Sequence, residues 1–305
     1  MNRKEGVQVD IKKYEVFLNA VDRGSFNLVC DEMGYTQSGI SKMMNSMERE
    51  IGFSLLTRSN KGIQLTPEGE RVLPLIRKMV QANEALIHEF QSIGGVETGK
   101  VRVGSYPTAC FIWMPEVLRI FHEAHPGIVV ETVEENSIRQ LEQWLNQNMC
   151  DICLFSRQNY HNFDWISLKK DPFVALLPIG HPLANCDIVE VAELMKERPI
   201  MFKNNEGLDP DVSKGFHKAG VPLNPIFTSN SDHTVVRMVE QNRMVTVMPE
   251  IIARYAQSHY QVVYRPIDIK FHRELGLAVR SLKDMSPAVK EFVHCFKNVI
   301  NKMSS

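Results

Sequence analysis

A chain of 305 residues, 44% apolar and 23% charged, is too long for one ordinary domain and apolar enough to build two or three cores. Its formal net charge of −1 supplies no global field to attract nucleic acid. No run approaches the roughly 18–20 consecutive apolar residues of a membrane span, so no membrane partner is expected.

Met1-Asn2-Arg3-Lys4-Glu5-Gly6 has no apolar stretch behind its basic residues, so a cytoplasmic protein without a secretory signal is expected. Residues 1–66 hold nine Lys or Arg against eight Asp or Glu, so any DNA binding here must come from where charge is placed. Ile11, Tyr14, Phe17, Leu18 and Val21 form the stripe of an amphipathic helix. Gly24 ends it, and Ser25 is placed to cap a second helix that buries Phe26, Val29, Cys30 and Met33. After the Gly34-Tyr35 turn, Thr36 is the N-cap of a third helix. On that helix Ile40, Met44, Met47 and Ile51 lie within about 40° of one another. Ser38, Ser41, Lys42, Asn45 and Arg49 take the opposite side, a set of short hydrogen-bonding groups and cations suited to base edges and phosphates. Taken alone, this side reads equally well as an ordinary solvated face. The tight turn before it and the hairpin after it favour DNA. Phe53–Arg58 and Ile63–Thr66 flank Ser59-Asn60-Lys61-Gly62, the pattern of a wing with Arg58 and Lys61 near its tip.

The succession Gly24-Ser25-Phe26, Thr36-Gln37-Ser38-Gly39-Ile40-Ser41-Lys42, Met47-Glu48, Ile51-Gly52, Leu55-Leu56-Thr57-Arg58 and Leu65-Thr66-Pro67-Glu68-Gly69 resembles the head of LysR-type transcriptional regulators in order and spacing. The family usually has two alanines in place of Val29-Cys30, proline in place of Ser38 and phenylalanine in place of Leu56. The first and last are core exchanges, whereas Ser38 lies on the reading face and bears on base preference. The resemblance implies that Thr36, Gln37, Ser38, Ser41 and Lys42 address the groove of double-stranded operator DNA and adjacent phosphates, and that Arg58 in the wing holds a flanking phosphate. Asn45 on the same helix face and Lys61 near the wing tip are expected to join them.

Thr66-Pro67-Glu68 is a helix start, and Val72, Ile76, Met79, Asn83, Leu86, Phe90 and Ile93 then repeat at steps of four and three, a heptad seam. Such a seam suits pairing with another helix; burial against the chain's own domain is the alternative. The resemblance implies pairing between subunits, a homodimer or a homotetramer, through residues 67–93. Gly94–Gly99 reads as a hinge.

From residue 100 to 305 strands and helices alternate, as in parallel α/β sheets. Strands are expected at Val101–Gly104, Ile128–Val133, Asp151–Phe155, Phe173–Leu177, Pro199–Phe202, Ile226–Ser229, Val245–Val247 and Leu275–Val279. Helices are expected up to His125, over Ile138–Asn146 and over Ser286–Lys302. The pair Cys150 and Cys153, three apart on a strand, faces opposite sides and reads as buried thiols. Pro126, Asp151, His181-Pro182-Leu183 and Met248-Pro249 resemble marks of the two-lobed, periplasmic-binding-protein-like effector domain of the same family. Lobe I is expected at about 100–164 and 266–305, lobe II at about 165–265. A ligand in such a fold sits between lobes at strand ends and helix starts. The junction Ser105-Tyr106-Pro107-Thr108 offers hydroxyls and a helix start, an anion site for a carboxylate-bearing effector; plain helix capping by Ser105 is the alternative. Across the cleft stand Phe202, Lys203 and Asn204, and family alignment brings Phe155 and Val247 near. Residues 203–218 lack the cysteine of peroxide-sensing members, and His122-x-x-His125 has no matched third ligand. No Gly-rich phosphate loop, nucleophile elbow or zinc-protease helix is present, so neither enzyme activity nor a cofactor is expected.

Overall fold

The computed structural model describes residues 10–59, 62–93, 98–158, 163–197, 199–204 and 206–303. The chain divides into two compact units. The first takes residues 1–99 with the short pieces Gly127–Val129 and Asn146–Cys150, and the second takes the remainder.

The first unit opens with three helices, α1 (Ile11–Arg23), α2 (Phe26–Met33) and α3 (Gln37–Ile51). Gly24, Gly34 and Gly52 close them in left-handed conformation. Asp10 caps α1 by accepting the Lys12 N–H, and Thr36 caps α3 by accepting the Gly39 N–H at 3.1 Å. Ser25 holds the cap position of α2, but its side chain makes no capping bond. Phe17, Ile40 and Met44 are fully buried, and Tyr14, Phe26, Val29, Met47, Leu55 and Leu56 complete a core shared by the three helices and the hairpin. Strands β1 (Leu56–Ser59) and β2 (Gly62–Leu65) pair antiparallel as the wing. A Cβ on Gly62, whose φ is +108°, would stand 2.7 Å from the Gly24 carbonyl, so the wing seats itself through a residue without a side chain. The Glu48 carboxylate accepts the N–H groups of Leu55 at 2.7 Å and Leu56 at 3.0 Å, which ties α3 to the hairpin.

Helix α4 (Pro67–Ile93) starts at Thr66, whose hydroxyl accepts the Gly69 N–H at 2.9 Å and donates to the Ser54 carbonyl. Its early seam belongs to the head. Leu73, Ile76 and Val80 are buried in the head core, with Val72 and Met79 packed against it. Arg77 pairs through both terminal nitrogens with Asp22 of α1. Further along, Leu86, Ile87 and Phe90 are exposed, Phe90 at 63%. Residues 94–97 of the expected hinge, and the side chain of Ile93, lie outside the described residues.

The second unit begins with β3 (Gly99–Ser105), α5 (Pro107–Ala124), β4 (Ile128–Glu134), α6 (Ile138–Asn146) and β5 (Ile152–Ser156). Strand β6 runs from Asp164 to Pro178. Then follow α7 (Val191–Leu194), β7 (Ile200–Asn204), β8 (Gly207–Leu208), α8 (Pro210–Ala219), β9 (Phe227–Ser229), α9 (Asp232–Asn242), β10 (Thr246–Pro249), α10 (Glu250–His259), β11 (Val262–Pro266), β12 (His272–Val279) and α11 (Pro287–Met303). The expected alternation is present, but the sheets are mixed. β3 pairs β5 and β7 pairs β9 in parallel, whereas β12, β10 and β11 all run antiparallel to β6. The expected strand at Phe173 is the second half of β6. The first half, Asp164–Pro172, pairs β12 in lobe I, and Phe173–Pro178 pairs β10 and β11 in lobe II. One strand therefore serves both lobes, and its polar first half hides it from a hydrophobicity pattern. Gly276 sits at a register shift against β6, where a Cβ would stand 2.5 Å from the Ile166 carbonyl. Lobe I packs α5 on α11 through Phe121 and Phe292, their rings edge to face at 5.1 Å. Lobe II has its own core around Phe173, Leu194, Met201 and Phe216.

Candidate functional site

Helix α3 presents one face to solvent and one to the core. Ile40, Met44 and Met47 are buried; Thr36, Gln37, Ser38, Lys42, Asn45 and Arg49 are exposed, with Ser41 half-buried beside them. The Thr36 and Ser38 hydroxyls stand 3.3 Å apart at the helix start. The exposed row thus joins a helix N-terminus, short hydroxyls, two amides and two cations on a rigid element, as base and phosphate contact requires. The Arg58 side chain and the whole of Lys61 lie outside the described residues.

The second unit contains a cleft whose empty space, open solvent at its mouth included, is about 630 Å³. Lobe I supplies Tyr106 and Thr108 from the start of α5 and Asn136 from the turn after β4. Lobe II supplies Phe173 of β6, Met201, Phe202 and Asn204 of β7, Asp209 and Asp232 at the starts of α8 and α9, and Thr246–Pro249 of β10. Arg273 reaches in from β12.

Electrostatics in this cleft rest on four charged side chains. Arg273 and Asp171 are cross-strand partners on β12 and β6, both buried, near the point where β6 passes from lobe I to lobe II. The guanidinium donates from Nε at 3.0 Å and from Nη2 at 2.9 Å to Asp171, whose other oxygen accepts the Ile251 N–H at 3.0 Å. That pair cancels its own charge. Asp209 caps α8, its Oδ1 accepting the N–H groups of Asp211 and Val212. Burial, then repulsion from Asp211, pushes its carboxyl up to about 6. Asp232, the first residue of α9, accepts a hydrogen bond from the Thr108 hydroxyl across the cleft. Burial raises it above the ordinary carboxylate range as well. The Tyr106 phenol, 3.4 Å from the Ser156 hydroxyl, is raised by burial and stays protonated.

With both surfaces in view, comparison with known proteins is decisive. The model of the bacterial regulatory helix-turn-helix protein, lysR family, matches residues 11–70, and that of the LysR substrate binding domain matches 94–301. The chain belongs to the LysR family. It is 26% identical over 290 residues to the HTH-type transcriptional regulator YvbU of Bacillus subtilis, covering 95% of this chain and 98% of YvbU. A full-length OxyR cysteine variant from Pseudomonas aeruginosa shares the fold, with a TM-score of 0.75 at 18% identity over 96% of this chain and 95% of that one. The effector binding domain of QuiR, solved in complex with shikimate, shares it over 67% of this chain and 98% of that one, with a TM-score of 0.60 at 22% identity. LysR proteins are transcription regulators that join a DNA-binding helix-turn-helix to an effector-binding domain, and they are not enzymes.

Within this LysR effector domain the cleft gathers Tyr106, Thr108, Phe202, Asn204 and Val247, all picked out in the sequence. It leaves out three others. Ser105 is fully buried and its hydroxyl donates to the Tyr106 carbonyl at 2.9 Å, so it reinforces the strand end from behind. Phe155 lies beneath the surface against Trp165, ring centroids 5.5 Å apart, because β5 is the inner strand of lobe I. Lys203 is exposed and outside the lining. Residues missed from sequence are Asp171, Asp209, Asp232 and Arg273. Asp209-Pro210 and Ser231-Asp232 carry readable helix-start signals, but nothing local says that these starts converge. Cys150 and Cys153 are buried thiols, as expected. Among the described residues no group of His, Cys, Asp and Glu is arranged to hold a metal, and no helix is long and apolar enough to cross a membrane.

Proposed function

We propose that this LysR protein binds a specific operator through the α3 face and that a small molecule in the cleft of the second unit sets the binding geometry. The observation that carries the DNA half is the division of α3 into a buried methionine side and an exposed row of Thr36, Gln37, Ser38, Lys42 and Asn45. Ser41 joins that row, and Arg58 and Lys61 extend it along the wing to the phosphates. The cleft half is supported by concentrated buried polar groups among apolar walls, and by the shikimate held in QuiR's effector domain. Ligand acts by shifting the population of lobe arrangements, since Thr108 and Asp232 join the lobes across the cavity.

The working division is a head of residues 1–66, a linker helix of 67–93, a hinge of 94–99 and an effector region of 100–305. Exposed Leu86, Ile87 and Phe90 support subunit pairing along the second half of α4, with Asn83 half-buried beside them as the polar register residue. The first half, Val72, Ile76 and Met79, serves the head core of the same chain and contributes to a dimer by holding the helix in place. A homodimer, alone or doubled to a tetramer, acting in the cytoplasm where operator DNA lies, completes the reading. At the expected anion site for a carboxylate-bearing effector, the Thr108 hydroxyl donates to the Asp232 carboxylate.

Footprinting of DNA upstream of the protein's own gene and its neighbours tests the reading. A protected site is expected, and Gln37→Ala with Ser38→Ala should weaken it at unchanged melting temperature. A folded protein that protects none of these fragments refutes it.

A further inference from the structure

Taking the cleft as the effector site, we propose that its effector carries a protonated amine, received by Asp209 and Asp232 while the carbon skeleton lies on the apolar walls. The charge balance of the lining leads there. Arg273 is tied to Asp171 through two donors, so the cleft's cation is already neutralised. Two carboxylates remain that Arg273 favours only through space and that have no ion pair of their own among the described residues. Asp209 uses Oδ1 on the start of α8 and Asp232 uses Oδ2 on Thr108; among the described residues Oδ2 of Asp209 and Oδ1 of Asp232 take no hydrogen bond. Both side chains are half-buried and line the cavity. Carboxylates in low dielectric are costly unless a cation or donors meet them, and an ammonium meets both demands with three N–H donors. An anionic ligand would instead bring a third negative charge into the same space. Burial and Asp211 hold the Asp209 carboxyl up, and a bound cation would pull it back down.

The remaining lining fits an aliphatic amine. Phe173, Met201, Phe202, Val247 and Ile252 form the apolar walls, and Asn136 and Asn204 offer amides near the mouth. Asp232 already joins the lobes through Thr108, so a cation arriving there acts on the contact that sets lobe closure. Recognition and regulation then share one carboxylate.

The test uses the full chain and matched probes: n-butylamine and 1,4-diaminobutane as cations, butyrate and succinate as anions. Binding is followed by titration calorimetry and by thermal shift. The amines should bind, and Asp232→Asn and Asp209→Asn should each weaken them at least tenfold, asparagine keeping the cap on α8. Carboxylates that bind while amines do not would overturn the amine class and leave the effector reading standing. Amine binding unchanged in both variants would overturn the assignment to these acids. Should neither class bind, the amine proposal fails, and Val247→Trp, which fills the cleft, decides the rest. A regulated promoter that responds as in wild type with the cleft filled removes the effector reading too.

Discussion

In the head, the residues turned to solvent follow one another along a single helix from Thr36 to Arg49, whereas the cleft draws Tyr106, Asn136, Asp209, Asp232 and Arg273 from separate strands and helix starts. The difference lies in what holds each surface together. A helix face is set by a period of 3.6 residues and one apolar stripe, so α3 needs only Ile40, Met44 and Met47 in the core to aim the rest outward. The cleft exists only because β6 runs from one lobe into the other and helix starts of both lobes come together there. The head's surface is exposed and its charges are solvated. In the cleft Arg273 and Asp171 are buried as a pair, and Asp209 and Asp232 are half-buried.

That contrast can be broken most sharply at Arg273. Arg273→Ala leaves Asp171 buried without its counterion, at a cost of about 3–5 kcal/mol in the second unit. Denaturant unfolding of the full chain should show that unit's transition shifted and the head's in place. A shift under about 1 kcal/mol would mean that the cleft's charges are as weakly coupled as surface pairs are. Lys42→Ala probes the opposite regime. Its exposed ammonium should leave stability within about 0.5 kcal/mol of wild type while reducing the salt slope of operator binding by about one. An unchanged slope removes Lys42 from the phosphate contacts.

The smallest effect belongs to Asp209 and depends on pH. Its carboxyl sits at about 6 when folded, above the ordinary value of 3.8, so ionisation opposes the folded state. Stability from this group is fully present below pH 3.8 and is lost as pH rises through about 6. Asp211 in the first turn of the same helix opposes ionisation, while Arg273 and the N–H groups of Asp211 and Val212 favour it. Asp209→Asn should therefore raise the melting temperature of the second unit at pH 8 and leave it nearly unchanged at pH 4. Equal effects at both values would assign Asp209 to capping alone.

The sequence by itself determined the helix-turn-helix, the wing, the cap at Thr36, the start of α4 at Thr66 and the two sides of α3. Each of these rests on residues only a few positions apart. It also carried the alternation of strands and helices from residue 100 and the α5 side of the cleft. Tertiary structure decided that half of the heptad seam serves the head's own core, because Leu73, Ile76 and Val80 meet α1 there while Leu86 and Phe90 meet solvent. It placed Ser105 and Phe155 beneath the surface, outside the cleft lining, and brought Asp209, Asp232 and Arg273 into one cavity. Periodicity reports which side of an element is apolar. Which charged side chains from distant elements become neighbours in low dielectric depends on strand order and register, and these are settled only when the whole sheet forms.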